Sequence, residues 1–252
     1  MYIRNLVVGY LNHHLTEVMC AFTFKQGEVG WDATYFGNYF DKIKELGFIN
    51  KQERKGIQVQ FSNNVEELLN PQKPFVQELS SQIIYKNDEQ GKAIVLGEKQ
   101  ISFHVIKDYK LWDNFFKDLI VPAYNKYLEL GLNNKLQTCQ VTYLNKFIIK
   151  ENEELSKYFT LIQKSLSDEG TEEFTLIDTR YKTKKNIVLN PKLIAGGIEK
   201  ETKNRIINME CTAIAVLTDN INIDWVNIAN DVHEPIRNFF EKSITDTLRQ
   251  TL

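Results

Sequence analysis

The chain has 252 residues, 42% of them hydrophobic, with a formal net charge of −2 and a pI near 6.1. That is enough apolar material for one large core or two small ones, and it excludes a whole-molecule pull toward nucleic acid or anionic membrane. No apolar run approaches the ~20 residues needed to cross a bilayer, and residues 1–9 are poor material for a signal peptide.

Residues 17–24 (EVMCAFTF) are β-branched and aromatic and predict a strand. Trp31, Tyr35, Phe36, Tyr39, Phe40, Ile43 and Leu46 recur at steps of three and four, which predicts an amphipathic helix closed by Gly47. Residues 56–61 alternate and predict a half-buried strand, and residues 70–74 a loop. Short strands follow at 82–85, 93–96 and 101–106, with turns at 87–91 and 97–99. A helix is expected over 111–130, stopping at Gly131. The pattern then restarts. A strand is expected at 137–149, a short helical piece around 155–159, and strands at 174–181, 186–194 and 205–217. Residues 182–185 and 195–203 separate these strands, and Gly196-Gly197 reads as a turn. The last helix runs from Ile223 toward Leu252. Cys20, Cys139 and Cys211 each fall in an apolar, strand-like run. They read as buried free thiols of a reducing compartment, so a cytoplasmic protein is expected. The richness in Lys, Asn and Ile fits an AT-rich bacterial genome.

Both halves read strand, helix, several strands, helix. Trp112, Asn114, Asp118, Pro122 and Asn125 recur as Trp225, Asn227, Asp231, Pro235 and Asn238, at a constant offset of 113. The strands preceding the two helices, 101–106 and 214–219, fall near the same offset. The expected fold is α+β: antiparallel sheets with long packed helices, built as two β-α-β(3-4)-α pseudo-repeats in a helix-grip or TATA-binding-protein-like arrangement. Residues 1–131 and 132–252 would be the halves of one compact body. In the second helix the apolar stripe holds from Trp225 to Phe240, then drifts through Ile244, Leu248 and Leu252. A break near Ser243 is expected, capped by Ser243 with Asp246 or by Thr245. Pro235 should bend the main helix, since it cannot donate to Asp231.

Val232-His233-Glu234, Ile236, Phe240-Glu241, Ile244-Thr245-Asp246 and Leu248-Arg249 form a closing motif. It resembles that of a sporadically distributed bacterial family of uncharacterised proteins, in which an Ala-His pair opens a helix ending in Phe-Glu, Ile-Thr-Asp and Leu-Arg. Tyr109, Trp112 and Phe115 resemble the family's Tyr-x-x-Trp-x-x-Phe helix start. Residues 141–147 resemble its arginine-tyrosine-isoleucine-asparagine strand. Val232 stands for the family's alanine and Thr142 for its arginine, so any function of that arginine is absent here. The resemblance implies no assigned activity. Its patchy distribution is like that of phage-defence and toxin–antitoxin genes.

His233, at the edge of the stripe, suits a general base or a partner contact, or else a histidine bonded to a strand carbonyl. His13 and His14 are adjacent in a loop without a metal-ligand pattern. His104 points away from the side of Phe103 and Val105 and shows no partner in the sequence. Arg180, Lys182, Lys184 and Lys185 cluster around Tyr181 at an expected hairpin tip. Such a tip could contact phosphates and stack a base, or simply be solvated. Asp246 and Arg249 can pair on one helix face, or Arg249 can anchor the terminal helix. Glu151, Glu153 and Glu154, and Asp168, Glu169, Glu172 and Glu173, read as solvated acidic loops. Phosphate-loop, dinucleotide, serine-elbow and zinc-helix motifs do not occur. No cofactor or metal is expected. The functional expectation is a non-catalytic accessory or immunity-type subunit that binds another protein encoded nearby, in a defence or toxin–antitoxin operon. Nucleic-acid binding through the sheet face and basic tip is the alternative. No membrane contact is expected, and a homodimer is compatible with the pattern.

Overall fold

The computed structural model describes residues 14–25, 30–54, 57–60, 75–78, 81–132, 134–162, 174–183, 185–217 and 224–252. The chain is α+β, with a large antiparallel sheet and a few helices. The strands are β1 (Leu15–Lys25), β2 (Asn50–Arg54), β3 (Ile57–Gln60), β4 (Phe75–Glu78), β5 (Gln82–Asn87), β6 (Lys92–Gly97), β7 (Gln100–Val105), β8 (Lys135–Ile149), β9 (Thr175–Asp178), β10 (Tyr181–Lys182), β11 (Ile187–Ile198) and β12 (Arg205–Val216). The ten-stranded sheet has the order β10-β11-β12-β8-β1-β7-β6-β5-β2, with β9 also paired to β11. β3 and β4 form a separate two-stranded sheet. The long strands β1 and β8 pair antiparallel at the centre, Cys20 opposite Val141 and Phe22 opposite Cys139, which joins the two halves of the chain in one sheet.

The helices are α1 (Thr34–Ile43), α2 (Trp112–Phe115), α3 (Val121–Leu128), α4 (Trp225–Ser243) and α5 (Asp246–Arg249). They cover one face of the sheet because strand alternation puts an apolar row there. In β1, Val18, Cys20 and Phe22 are fully buried and Phe24 nearly so, while Glu17, Met19, Ala21 and Thr23 between them face the other way. Cys20, Phe22, Phe103 and Val141 meet Leu119, Ala123 and Tyr124 below α2 and α3, Tyr39 of α1, and Ala229 and Val232 of α4 in the main core. A second core lies under the far end of α4. There Phe147, Ile207 and Met209 pack against Phe159, Ile244 and Leu248. Each such side chain contributes about 1.5–3 kcal/mol through burial.

The segment expected as one helix over 111–130 has a wide turn, Phe116–Ile120, between α2 and α3. That turn ends two residues before Pro122, which cannot donate to Asp118 and whose ring crowds that carbonyl. Residues 174–181 divide into β9 and β10. Gly196-Gly197 is not a turn: β11 runs through it to Ile198, with a register shift between Ala195 and Gly197. A Cβ at Gly196 would lie 2.4 Å from the Phe174 ring, so glycine lets that ring lie over the strand. The 113 offset also fails for the strands. Ile101 is fully buried on the covered face, whereas Ile214 alternates with buried Ala213 and Ala215 and faces the other way. An odd shift reverses every side chain here, so β7 and β12 can be equivalent only at an even one.

The expected break after Ser243 is present. Ser243 Oγ donates to the Phe239 carbonyl at 2.7 Å, and Thr245 Oγ1 caps α5 by accepting from the Leu248 amide at 3.4 Å. The break docks on the preceding segment through Thr160 N to Ser243 O and Thr245 N to Tyr158 O, both 2.9 Å. Ile244, Leu248 and Leu252 are thereby all buried. Pro235 lies inside α4, which continues through it as one helix.

Candidate functional site

Three places carry chemistry. The first is the seam between α2 and α4, where His233 stacks flat on Trp112, with ring centroids 4.4 Å apart and planes at 4°. Tyr143 of β8 lies 5.7 Å from the same imidazole. The Trp112 indole donates to Asn230 Oδ1 at 2.7 Å, and the Tyr109 and Tyr143 hydroxyls meet at 2.5 Å. Burial, with the Arg237 charge adding to it, pushes the His233 pKa down to about 3. Aromatic stacking on Trp112 holds one face of this ring. A neutral imidazole at physiological pH can accept a proton only weakly. The other signature residues are mostly packing. Trp225 contacts Phe22, Phe116 and Tyr124, Ile236 is buried in the main core, and Phe240 packs on the second core. Asp246 and Arg249 do pair, at 2.5 Å, while Arg249 Nη2 also donates to the Glu241 carbonyl at 2.8 Å, so this arginine ties α5 back to α4.

The second place is the β10–β11 hairpin, where the sequence puts Arg180, Tyr181, Lys182 and Lys185; Lys184 lies outside the described residues. Tyr181 is half exposed, with its ring 6.2 Å from Phe239. Lys185 is not a free phosphate contact. Its Nζ bonds Asp231 Oδ1 at 2.6 Å and lies 3.9 Å from Glu234, both on α4. Those carboxylates hold its pKa above the usual lysine value. The tip is thus tethered to the helix layer, and part of its positive charge is balanced there.

The third place, the face of the sheet that these helices leave uncovered, was not visible in the sequence as a site. At its centre His104 has two partners. Its Nδ1 lies 2.6 Å from Glu17 Oε1 on β1, and its Nε2 lies 2.8 Å from Ser102 Oγ on β7. The hydrogen bond from His104 is the main reason the Glu17 carboxyl is held below its ordinary pKa. Ser102 and His104 are two apart on one strand, a spacing that always shares a face. Glu17 is 87 residues away and reaches them only through β1–β7 pairing. Beyond the short Ala21 lies a second chain of bonds. Gln140 Nε2 donates to Thr142 Oγ1 at 3.1 Å, Thr142 and Thr212 share a hydroxyl contact at 2.9 Å, and Thr212 Oγ1 donates to Glu210 at 3.3 Å. Thr142 therefore sits in the middle of this face.

Toward one end the same face turns apolar. Ile148 of β8 pairs with Ile206 of β12, which pairs with Gly197 of β11, and Phe174 lies beside them over Gly196. In the next row Ile194 pairs with Leu176 of β9. Ile148, Leu176 and Phe174 are 43%, 52% and 62% exposed.

Elsewhere, His14 sits 5.1 Å from Phe147 and burial lowers its pKa, while His13 and residues 168–173 lie outside the described residues. Glu153 accepts from the Tyr158 hydroxyl at 2.6 Å. All three cysteines are buried and unpaired. Burial raises the thiol pKa of Cys20 and lifts that of Cys211 to about 12, so neither is a ready nucleophile. Among the described residues no three His, Cys, Asp or Glu side chains group as metal ligands, and no helix is long and apolar enough to cross a membrane. No protein-family model matches the chain, and no curated protein is significantly similar to it.

Proposed function

We propose that this chain is an interaction protein, an accessory or immunity-type subunit that binds a protein partner through the open face of its sheet. The observation that carries the reading is the apolar row of Ile148, Leu176 and Phe174, exposed around the half-buried Ile206 on a face that no described helix covers. Contiguous exposed apolar surface beside a polar hydrogen-bonding region is how protein interfaces are composed. Nucleic acid is the weaker reading, because Lys185 is already paired and the open face interleaves the carboxylates Glu17, Glu210 and Asp178 with Lys146 and Lys192 rather than presenting a basic row. A cytoplasmic setting fits the buried free thiols. The resemblance of the closing helix to a patchily distributed bacterial family supports seeking the partner among neighbouring genes, in a defence or toxin–antitoxin operon.

A finer reading of the fold is that it arose by duplication. The order β1-β7-β6-β5 on one side of the centre is mirrored by β8-β12-β11-β10 on the other. Each half begins with its long strand and closes with a tryptophan-led helix. The helices would match at the offset of 113, β7 and β12 at an even offset beside it, and β1 and β8 at an odd one, the connecting loops absorbing the differences.

Co-purification with the product of each adjacent gene tests the function. The expected result is a stable complex that Leu176→Asp with Ile148→Asp abolishes while the free protein melts as before. A complex indifferent to both substitutions would place the interface elsewhere. No complex with any neighbour would overturn the reading.

A further inference from the structure

We propose that Ser102, His104 and Glu17 form a nucleophilic acyl-transfer site on the open face of the sheet, with Ser102 as the attacking group. This goes beyond partner binding and stands without it.

The argument is one of proton bookkeeping and placement. An ionised Glu17 can only accept, so the imidazole nitrogen facing it, Nδ1, must carry a hydrogen. In the neutral ring Nε2 then has a free lone pair, and the Ser102 hydroxyl, 2.8 Å away, donates to it. That is the order nucleophile, base, orienting acid: the base is aimed at the hydroxyl proton and the acid fixes the tautomer. The histidine is held from both sides, with 14% of its side chain exposed. The approach to Ser102 runs over Ala21, the residue opposite it on β1, whose methyl leaves a partly exposed floor. On the far side of that floor Gln140 stands opposite Ala21. Backbone amides within these strands are used in the ladder, so the developing oxyanion would be met by the Gln140 carboxamide rather than by main chain. That donor set suits a small, unhindered ester better than a peptide bond.

In the reaction the Ser102 oxygen bonds to the acyl carbon as its proton passes to His104 Nε2. The ester C–O bond breaks, and the alkoxide leaves with that proton. Water then repeats the sequence on the acyl-serine, releasing a carboxylic acid and restoring the hydroxyl.

The test is labelling of the full chain by a fluorophosphonate, which forms a serine–phosphorus bond and expels fluoride, followed by peptide mapping. A single adduct on Ser102 is expected, absent in Ser102→Ala. His104→Gln keeps hydrogen bonds to both neighbours but cannot act as a base, and should label about a hundredfold more slowly. Glu17→Gln should be slowed less, and Gln140→Leu should slow p-nitrophenyl acetate turnover without altering the melting temperature. Circular dichroism of each variant separates lost chemistry from lost folding, and a variant that fails to fold is replaced by His104→Asn or Glu17→Asn. No adduct on folded wild-type protein, an adduct at another residue, or His104→Gln labelling at the wild-type rate would overturn the site.

Discussion

The two faces of the large sheet use the same strands for opposite purposes. On the covered face, successive inward residues of β1 are Val18, Cys20, Phe22 and Phe24, and their partners are helical aromatics such as Tyr124, 4.7 Å from Phe22. On the open face the interleaved residues are Glu17, Met19, Ala21 and Thr23, and their neighbours are hydroxyls, a carboxamide and an imidazole. One face gains free energy by excluding water. The other spends its side chains on directional bonds that contribute little net stability in water. Folding and function can therefore be perturbed separately.

The largest effect belongs to the covered face. Phe22→Ala should destabilise the fold by about 3–5 kcal/mol, because a fully buried ring leaves a cavity between β1, α3 and α4. Urea unfolding measures it. A cost under 1 kcal/mol would mean that the helix layer can collapse into the gap.

The second effect comes from the seam where the helix layer meets at His233. Its native pKa of about 3 lies below the ordinary histidine value near 6.5. The unfolded chain therefore binds this proton first as pH falls. The contribution is fully present above pH 6.5, declines below it, and stops declining only near pH 3. Between pH 7.5 and 5 the fold should lose about 2 kcal/mol from this group. His233→Phe keeps a ring against Trp112 and should remove that part of the acid sensitivity. Burial also depresses His14, which acts in the same direction, so the difference between wild type and variant is the quantity to read.

What the sequence could show follows from the range of each interaction. The break after Ser243 was legible because a drifting helical stripe and a Thr cap are both local. The alternation of β1 and the burial of the cysteines were legible for the same reason. Gly196-Gly197 misled because a glycine pair has the composition of a turn; its need arises from Phe174, twenty-two residues earlier and across a strand pair. Pro122 and Pro235 occupy matching places in the two helices, yet a wide turn precedes the first and an unbroken α-helix surrounds the second. The proline alone does not decide this; the packing around each turn does. His104 is legible as outward-facing, and Ser-x-His on one strand face is a local signal of the Ser102–His104 pair. Glu17 could not be joined to it without knowing that β1 pairs with β7. The apolar row is illegible as a row, since its members come from three strands and the residue that precedes β9.

A smaller effect belongs to the terminal turn. Arg249→Ala removes the bond to the Glu241 carbonyl and the pair with Asp246, whose side chain is 91% exposed. The solvated ion pair adds little, so about 1 kcal/mol is expected, nearly all from the carbonyl contact. Asp246→Ala should then cost only a few tenths of a kcal/mol, and a larger loss would assign the anchoring role to the wrong partner.

The smallest stability effect should come from the open surface. Lys185→Ala breaks a pair whose side chains are 57% and 46% exposed, and should leave the urea unfolding midpoint almost unchanged. Leu176→Asp should be equally mild in the isolated protein, because a side chain already half in water loses little by becoming polar. The two substitutions part company on binding. Leu176 lies in the apolar row and Lys185 on the helix side, so only Leu176→Asp should abolish a complex. If Lys185→Ala abolishes it instead, the partner docks against α4 and the hairpin tip, and the open face is left to the Ser102 chemistry alone.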